Sequence, residues 1–329
     1  MNTRFDILQR ITISRTGLSF NSHELRITDN GSRALVLYNR GENRPREESL
    51  TVGYDGRCHV GCNGIYEWDT STWKKTFEWD SCGKIMLDES TANKGNLTEL
   101  CSRDWDYVHL NSIDKTSDGN LLVSCRHCDA IYKISYDTGD IIWRLGGVKN
   151  DFSMADDFIF TRQHNIRYLG ENGTHTIVSM LDNATGEDEQ PPSYPFSRGL
   201  ILALDERSDP MTAAIVQQYD HPDGDNHHSI KRGNLQVLDN GNILMGWSER
   251  ARITEHTPDG TIVMEAKLQP VWLGTYRSYK FEFAGFPSQR PRAAGEAWDA
   301  DVEGGAQTTM YASWNGATEV AECESALST

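Results

Sequence analysis

Imidazole and guanidinium side chains are the groups in this sequence best suited to chemistry on a polar or anionic substrate. A guanidinium can hold an anionic group through two parallel hydrogen bonds, and an imidazole can relay protons near neutral pH. Three such residues stand in short polar motifs, namely His109 in WDYVHLN, His164 in TRQHN and Arg198 in FSRG. They lie far apart in the chain, so only the fold can bring them into one pocket.

The isolated histidines have a simpler explanation. In a β-rich protein, a single histidine forms a structural hydrogen bond more often than it catalyses a reaction. We assign this structural role to five of them: His23, His59, His175, His221 and His256. The tryptophans are expected to pack in the core or between sheets, and one or two near a pocket could stack on an aromatic substrate.

Motifs for bound cofactors are missing from the sequence. It contains no GxxxxGK[ST] phosphate loop, no dinucleotide-binding glycine motif, no GxSxG and no HExxH. The acidic stretch DNATGEDE lacks the spaced ligands of an EF-hand, and the CxxC of Cys125 and Cys128 has no second ligand pair for zinc. We therefore predict no required cofactor and no metal site, with Cys125 and Cys128 as free thiols on a strand.

The composition is that of a folded, acidic protein. The chain has 329 residues, 37% of them hydrophobic, and a formal charge of −16 with a pI near 5.0. Such a surface repels phosphate backbones and anionic lipids, so nucleic acids and membranes are poor partners and an anionic substrate would need a local basic pocket. Residues 1–15 carry Arg4, Asp6 and Arg10 instead of the apolar run of a signal peptide, which favours a cytoplasmic location.

Strand signals dominate the rest of the sequence. Short β-branched or aromatic runs such as LLVSC, AIYKISY and TIVSML are separated by DG, NG and TG turns, and helical periodicity is almost absent. The runs recur as a unit in residues 116–145 and 238–266, with looser copies that begin at 27 and 167. Repeats of this size are typical of propeller blades, because one such meander cannot cover both of its faces.

The repeats predict an all-β propeller of five or six antiparallel blades around a central funnel, formed as a single domain over residues 1–329. Residues 308–323 have the pattern of two strands of an incomplete last blade, and a strand in 5–14 could complete it and close the ring. An open β-sandwich is the alternative, but it does not explain the repetition. Three longer stretches are predicted to be loops: 186–196, 220–233 and 286–305.

The polar motifs and several further segments resemble the arylsulfotransferase-like family, especially its fungal branch. The matching segments occur in the same order from about His23 to Ala321, and they include 103–147, FTRQHNIRY, SMLDNAT, SRG, NLQVLDNGNILMGW, TYRSYK and YASWNGATEVA. The resemblance implies a propeller with its active site in the funnel. It also implies the chemistry of the bacterial members, which move a sulfuryl group between phenols through a sulfated histidine without a nucleotide cofactor.

Transferred by motif, His109, His164 and Arg198 are the expected catalytic residues and should meet in one pocket. A sulfuryl group in transfer carries spread negative charge, which Arg198 could grip and the imidazoles could stabilise. The nucleophilic histidine of the bacterial members has no clear counterpart, although His227 and His228 fall in a suitable interval. The expected substrate-binding residues are Asn111, Arg126, Gln163, His228, Trp247 and Arg277.

Three functions follow from these features. The first is a cofactor-independent cyclisation or pericyclic step of fungal-type secondary metabolism, in which the funnel polarises and orients an oxygenated aromatic substrate such as a phenol, quinone-methide or enone. The alternative is nucleotide-independent sulfuryl transfer between phenols through a histidine, and the third is a non-catalytic propeller that binds a small molecule. The missing nucleophile motif and the cytoplasmic setting place cyclisation first.

Overall fold

Antiparallel β-sheets follow one another along the chain in the computed structural model, which describes residues 3–7, 19–92, 94–187, 191–269, 272–298, 307–313 and 315–318. The chain divides into two compact units. The larger is Arg15–Lys280, and the smaller joins Met1–Ser14 to Phe281–Thr329. That a single domain spans residues 1–329 stays a prediction.

The described part of the larger unit contains four sheets, each a meander of consecutive antiparallel strands. The first sheet consists of β1 (Ser19–Thr28), β2 (Arg33–Arg44), β3 (Cys58–Asp69) and β4 (Lys75–Asp80). The second consists of β5 (Leu110–Lys115), β6 (Leu121–Cys125), β7 (Ala130–Ile134) and β8 (Ile141–Gly146). The third consists of β10 (His164–Asn172), β11 (His175–Asp182), β12 (Arg198–Asp205) and β13 (Met211–Asp220), with the short β9 (Phe152–Met154) parallel to β13. The fourth consists of β14 (Asn234–Val237), β15 (Ile243–Gly246), β16 (Arg252–His256) and β17 (Ile262–Lys267).

Helical segments are short in the described residues. The two α-helices are α1 (Arg46–Leu50) and α2 (Leu97–Leu100), and 3-10 turns lie at Asp29–Gly31, Leu87–Glu89, Arg126–Cys128, Ala155–Asp157 and Ser248–Arg250. None of the described helices has the length and apolar character needed to cross a bilayer. In the smaller unit, β18 (Ala293–Trp298) pairs antiparallel with β19 (Gln307–Ala312).

Tight glycine turns place the strands where the sequence repeats predict them. Gly119 and Gly241 have φ angles of +84° and +83°, in the left-handed region that glycine adopts without a clash at Cβ. The first precedes β6 and the second precedes β15, which are equivalent strands of the second and fourth sheets. Residues 116–145 and 238–266 therefore each supply one turn and the last three strands of a sheet.

Apolar side chains fill the spaces between consecutive sheets. One buried cluster joins the first sheet to the second, another joins the second to the third, and another joins the third to the fourth. Meanders that pack face to face in chain order make this fold the all-β propeller predicted from the repeats. The number of blades and the central funnel stay predictions. Representative residues of the three clusters are Leu37 and Val123, Trp143 and Met180, and Leu181 and Trp247.

The first strands of the sheets lie side by side. β1 is next to β5, β5 is next to β10, and β10 is next to β14. The chain at 275–280 continues this series, because the side chain of Asn234 in β14 exchanges hydrogen bonds of 2.8 and 2.7 Å with the backbone of Ser278. Residues that point inward from these segments therefore come close together.

A buried ion cluster ties these segments to one another. The carboxylate of Glu24 in β1 accepts hydrogen bonds from Arg167 in β10 and from Arg277, each at 2.8 Å. Arg277 also donates to the carbonyl of Asn111 in β5 at 2.8 Å. Burial alone would raise the pKa of Glu24, but the two guanidinium groups outweigh it and lower that pKa. Arg277, predicted to bind substrate, therefore has a full set of structural partners.

Three disulfides show that the prediction of free thiols is wrong. Cys125 and Cys128, at the end of β6 and in the following 3-10 turn, are joined to each other. The other two bonds hold β3, one to the segment before β5 and one to the segment after β4: Cys58–Cys101 and Cys62–Cys82. Cys323 lies outside the described residues. The sequence shows no ordered cysteine pattern from which these pairings could be deduced, because connectivity depends on the fold.

The predictions for the ends of the chain have mixed outcomes. The stretch 286–305 is predicted to be a loop, but it contains β18, which gains its hydrogen bonds from β19. In residues 308–323 the first of the two predicted strands is part of β19, and the second falls largely outside the described residues. The proposed closing strand at 5–14 also lies mostly outside them. The predicted loops 186–196 and 220–233 contain no strand beyond Asp220 where the structure describes them.

Candidate active site

Asp106 and His109 form a hydrogen-bonded pair where the chain enters β5. Nδ1 of His109 lies 2.5 Å from Oδ2 of Asp106. The φ angle of His109 is +54°, a conformation that residues with a side chain adopt only when their surroundings hold them there. The preceding chain is fixed to β3, because Trp105 accepts from the N–H of Gly61 at 3.0 Å and donates to the carbonyl of His59 at 3.1 Å.

A cavity of about 510 Å³ opens beside this pair and is lined by both residues. The side chain of His109 is 25% exposed. Its Nδ1 is taken by Asp106, and its Nε2 has no hydrogen-bond partner among the residues that the structure describes. A lone pair on Nε2 is therefore available on a ring that borders the cavity. Most other lining residues are polar, among them Asn21, His23, Asn39 and Asn63.

Four aromatic rings form a row through the site, which we call the ring row. Its members are, in order, His127, His109, His23 and Tyr276, and successive ring centroids lie 4.7, 4.8 and 5.8 Å apart. His23 belongs to β1, His127 to the 3-10 turn after β6, and Tyr276 to the chain beside β14. Separate parts of the sequence thus meet here because the first strands of the sheets are neighbours.

Burial keeps two histidines of the ring row neutral. Desolvation lowers the pKa of His23 and that of His127 to about 4. Nδ1 of His23 lies 2.5 Å from Oδ1 of Asn21, which can only accept, so the lone pair of His23 is on Nε2. Burial acts in the opposite direction on Asp106, but its hydrogen bond to His109 and the nearby imidazoles outweigh burial and lower its pKa to about 2. Asp106 is therefore a carboxylate at neutral pH.

Guanidinium groups stand at both ends of the ring row. Nη1 of Arg126 lies 2.9 Å from Nε2 of His127. At the other end, Cζ of Arg277 and Cζ of Arg232 lie 5.2 and 6.0 Å from the centroid of the Tyr276 ring. Three guanidinium groups thus approach this site in a protein whose formal charge is −16.

The cluster of Asp106, His109 and His127 must also be considered as a metal site, because the ligand atoms of these residues lie within 4.8 Å of one another. Both nitrogens of His127 are already engaged. Its Nδ1 donates to the carbonyl of Asp106 at 2.6 Å, and its Nε2 faces Arg126. A cation there would be close to a guanidinium charge, so these residues fit a hydrogen-bonded pair better than a metal centre.

His164 is buried, and both of its nitrogens are hydrogen-bonded. Nδ1 lies 2.7 Å from Oδ1 of Asn183, and Nε2 accepts the backbone N–H of Arg232 at 3.1 Å. Burial, together with the positive charge of Arg126, holds the pKa of His164 well below its usual value. The charge of Arg126 in the site thus acts on this ring, but neither ring nitrogen is free to act on a substrate.

Arg198 belongs to a different cluster, within the third sheet. Its guanidinium donates to Asp182 at 3.0 Å, to Gln218 at 2.9 Å and to the carbonyl of Ile159 at 2.8 Å. It also lies 3.5 Å from the centroid of the Tyr194 ring. These contacts give Arg198 a structural role and do not bring it to the ring row.

Most predicted substrate-binding residues serve as buried hydrogen-bond partners. Asn111 donates to the carbonyl of Gln163 at 2.8 Å, and Gln163 donates to two backbone carbonyls at 3.0 Å each. Trp247 is fully buried and donates to Thr254, while Nε2 of His228 lies 3.0 Å from a backbone carbonyl. Three of the nine predicted site residues belong to the ring row or contact it: His109, Arg126 and Arg277.

Sequence reasoning did not identify several members of this site. Asp106 is not among the site residues predicted from sequence, although its position three residues before His109 in one motif is a usable signal. His23 is also given a structural role, and its partner in the ring row is 86 positions away. His127 and Tyr276 have no local signal, because their place in the site depends on how the sheets pack.

A family model described as Arylsulfotransferase (ASST) matches residues 12–269. No curated protein matches the chain. Among solved structures, the chain is similar to a protein of unknown function from Bacteroides caccae, with 13% identity, a TM-score of 0.45, and coverage of 81% of this chain and 73% of that one. It is also similar to virginiamycin B lyase from Staphylococcus aureus, with 13% identity, a TM-score of 0.38, and coverage of 77% of this chain and 61% of that one. The chain thus spans less than two thirds of the lyase, and TM-scores below 0.5 say nothing about function.

Proposed function

This chain belongs to the arylsulfotransferase family, and we propose that it transfers a sulfuryl group from an aryl sulfate to a phenol, with His109 as the residue that carries the group. The observation behind this proposal is the Asp106–His109 pair beside the cavity. A carboxylate fixes one nitrogen of the ring, and the other nitrogen has no partner among the described residues. A histidine held in this way presents a lone pair at a fixed position, as a nucleophile requires.

The reaction would take place in two displacements. In the first, the lone pair on Nε2 of His109 attacks the sulfur of the aryl sulfate, an N–S bond forms, and the S–O bond to the aryl group breaks. The electron pair leaves on the phenolate oxygen, which takes up a proton. In the second, the acceptor phenol loses its proton and its oxygen attacks sulfur, while the N–S electrons return to Nε2. The protein is regenerated, so this scheme needs no nucleotide.

Asp106 and His23 have separate tasks in this scheme. The Asp106 carboxylate keeps the proton of His109 on Nδ1 and stabilises the positive charge that the ring gains when Nε2 bonds to sulfur. His23 stays neutral near pH 7 because its pKa is about 4. Its Nε2 can then accept a hydrogen bond from the phenol hydroxyl without bringing a second positive charge next to His109.

The other two functions predicted from sequence have less support. Cyclisation and simple ligand binding both stay predictions, because the family match favours the sulfuryl transfer that the sequence placed second. Neither of them requires a histidine with a carboxylate on one nitrogen and an open cavity at the other. The Asp106–His109 pair is therefore the feature that distinguishes sulfuryl transfer from both.

The cellular compartment is part of this proposal. Disulfides persist in oxidising compartments and are rare in the cytosol. Six of the seven cysteines are paired in this fold. They weigh against the cytoplasmic location predicted from sequence, and we place the protein in the secretory pathway or outside the cell.

The test is to incubate the purified protein with an aryl sulfate donor and to measure its intact mass before and after a phenol acceptor is added. We expect one added sulfuryl group, located on His109 by peptide mass spectrometry and lost when the acceptor is supplied. His59→Gln is the matched control. Nε2 of His59 pairs with Asp104 at 2.6 Å and its other ring nitrogen is also hydrogen-bonded, so His59 offers no free nitrogen to the cavity. A protein that neither gains the group nor transfers it would overturn the proposal.

A further inference from the structure

Two buried side chains form hydrogen bonds with the backbone N–H and the backbone carbonyl of Arg232. Nε2 of His164 accepts its backbone N–H, and Nδ2 of Asn183 donates to its carbonyl, each at 3.1 Å. Oδ1 of Asn183 lies 2.7 Å from Nδ1 of His164, which closes the ring of hydrogen bonds. His164 is 2% exposed and Asn183 is 0% exposed. The interior of the protein therefore fixes the position of Arg232.

This support matters because Arg232 has a disfavoured backbone conformation. Its φ angle is +61°, in the left-handed region that is unfavourable for residues with a Cβ atom. Such residues persist only where their surroundings hold them, and they cluster at functional sites. His164 suits the task, because burial holds its pKa well below the usual value and Nε2 remains an acceptor.

The side chain of Arg232, in contrast to its backbone, is free to bind a ligand. Its guanidinium is exposed, and it makes no hydrogen bond or ion pair with any residue in the described ranges. The cations around it are paired: Lys231 bonds to Glu187, and Arg277 bonds to Glu24. Arg232 is thus a cation at this end of the ring row that has no ion-pair partner in the part of the chain that the structure describes.

The hydroxyl of Tyr276 provides a second donor beside Arg232. It is buried and has no hydrogen-bond partner within the described part of the chain. Buried hydroxyl groups are almost always satisfied, so one without a partner points to a ligand or an ordered water. The ring of Tyr276 lies 6.0 Å from Cζ of Arg232 and 5.8 Å from the ring of His23.

We propose that Arg232 and Tyr276 bind an anionic group of the phenol substrate, so that the site selects phenols that also carry a carboxylate or a sulfonate. This inference rests on the proposed function for the phenol itself. The phenol oxygen would lie at His109 and the anionic group at the Tyr276 end of the ring row, with His23 between them. His164 and Asn183 are positioning residues, which act on the ligand through Arg232.

The charge of the protein makes this anchor selective. A surface with a formal charge of −16 repels anions in general. An open guanidinium next to a hydroxyl donor provides the local exception, because charge-assisted hydrogen bonds to a carboxylate or sulfonate are about twice as strong as neutral ones. A neutral phenol of the same shape would lack that interaction.

Titration calorimetry on the whole chain tests the inference with three ligands: para-hydroxyphenylpropanoate, its sulfonate analogue and its neutral amide. We expect the wild type to bind both acids at least about 10-fold more tightly than the amide. Arg232→Gln should weaken binding of the acids by about 10- to 100-fold and leave the amide within about 2-fold. Lys231→Gln removes a neighbouring charge that is paired with Glu187, and it should keep the preference.

The role of His164 is tested by variants that separate positioning from folding. His164→Ala should reduce the preference for the acids and should add nothing to the loss in the Arg232→Gln background, since both changes act through one group. His164→Gln can still accept from Arg232 and donate to Asn183, so it should restore the preference.

Two outcomes would overturn the inference: equal binding of acids and amide by the wild type, or an acid preference that survives Arg232→Gln. Either would do so even if the protein transfers sulfuryl groups. Conversely, an acid preference that depends on Arg232 in a protein without transferase activity would support the inference and count only against the proposed function.

Discussion

The carboxylate of Asp106 lies 2.5 Å from Nδ1 of His109, and the two residues are only three positions apart. His109 has a left-handed backbone with a φ angle of +54°, and a single motif supplies both members of the pair. The hydrogen bond leaves Nε2 as the nitrogen with the lone pair. In the proposed reaction, this atom is the one that would bond to sulfur.

Replacing Asp106 by Asn should lower the rate of sulfuryl transfer by about 100- to 10,000-fold, the scale seen when a carboxylate that orients a catalytic histidine is lost. An amide can donate to Nδ1, which favours the tautomer with its proton on Nε2 and removes the lone pair. Steady-state kinetics with an aryl sulfate measure the effect. Asp140→Asn, which affects an exposed carboxylate bonded to Lys84, should stay within about 2-fold. An unchanged rate in Asp106→Asn would rule out His109 as the nucleophile.

Removal of the Glu24 charge should destabilise the whole fold. Glu24→Gln leaves Arg167 and Arg277 buried with no carboxylate between them, and loss of one partner from a buried ion pair costs about 3 to 5 kcal/mol. Urea unfolding followed by tryptophan fluorescence gives the free energy of unfolding. The control is Asp55→Asn, which breaks an exposed pair with Arg46 and should cost less than about 1 kcal/mol. Equal losses would show that the central cluster contributes little.

Stability should fall as the pH decreases below about 6.5, where an unfolded histidine takes up its proton. His164 remains neutral in the folded protein because burial holds its pKa well below the usual value, so only the unfolded chain gains that proton. Its contribution is complete above the unfolded pKa and is lost as the pH falls. In His164→Gln, the slope of unfolding free energy against pH between 6 and 5 should be smaller by about 1.4 kcal/mol per pH unit. Parallel slopes for the two proteins would contradict this assignment.

The disulfides predict both a labelling pattern and a loss of stability on reduction. When the protein is denatured without reductant, iodoacetamide should leave six cysteines unmodified, as counted by intact mass. Bonds that span 43 and 20 residues should each contribute about 3 to 4 kcal/mol by restricting the unfolded chain. Thermal melts with and without reductant measure the difference. Full labelling without reductant would favour the cytoplasmic location instead.

The strands could be predicted from sequence where the signal is local. Gly119 and the run at Leu121–Cys125 predict a turn and a buried strand, and the structure has both. β18 could not be predicted, because AAGEAW is poor in β-branched residues and its strand conformation comes from pairing with β19. Local propensity fails where the partner strand determines the structure.

The site was partly predictable for the same reason. His109 stands in a distinctive motif, and its neighbour Asp106 can be read from that motif once a partner is sought. Arg198 also stands in a motif, but its guanidinium is committed to Asp182, a relation that sequence spacing does not reveal. The role of Arg232 depends on contacts with His164 over 68 positions, which only the packed sheets create.

All three disulfides lie within residues 58–128, and no cysteine occurs from 129 to 322. The first two sheets are therefore held by covalent cross-links, whereas the described residues of the third and fourth sheets are held by packing, hydrogen bonds and ion pairs. The two halves should therefore differ in their resistance to a pulling force and to a protease. We expect the second half to unfold or to be cleaved first and the cross-linked half to persist longest; that half carries Asp106, His109 and His127 but lacks Arg232 and Tyr276.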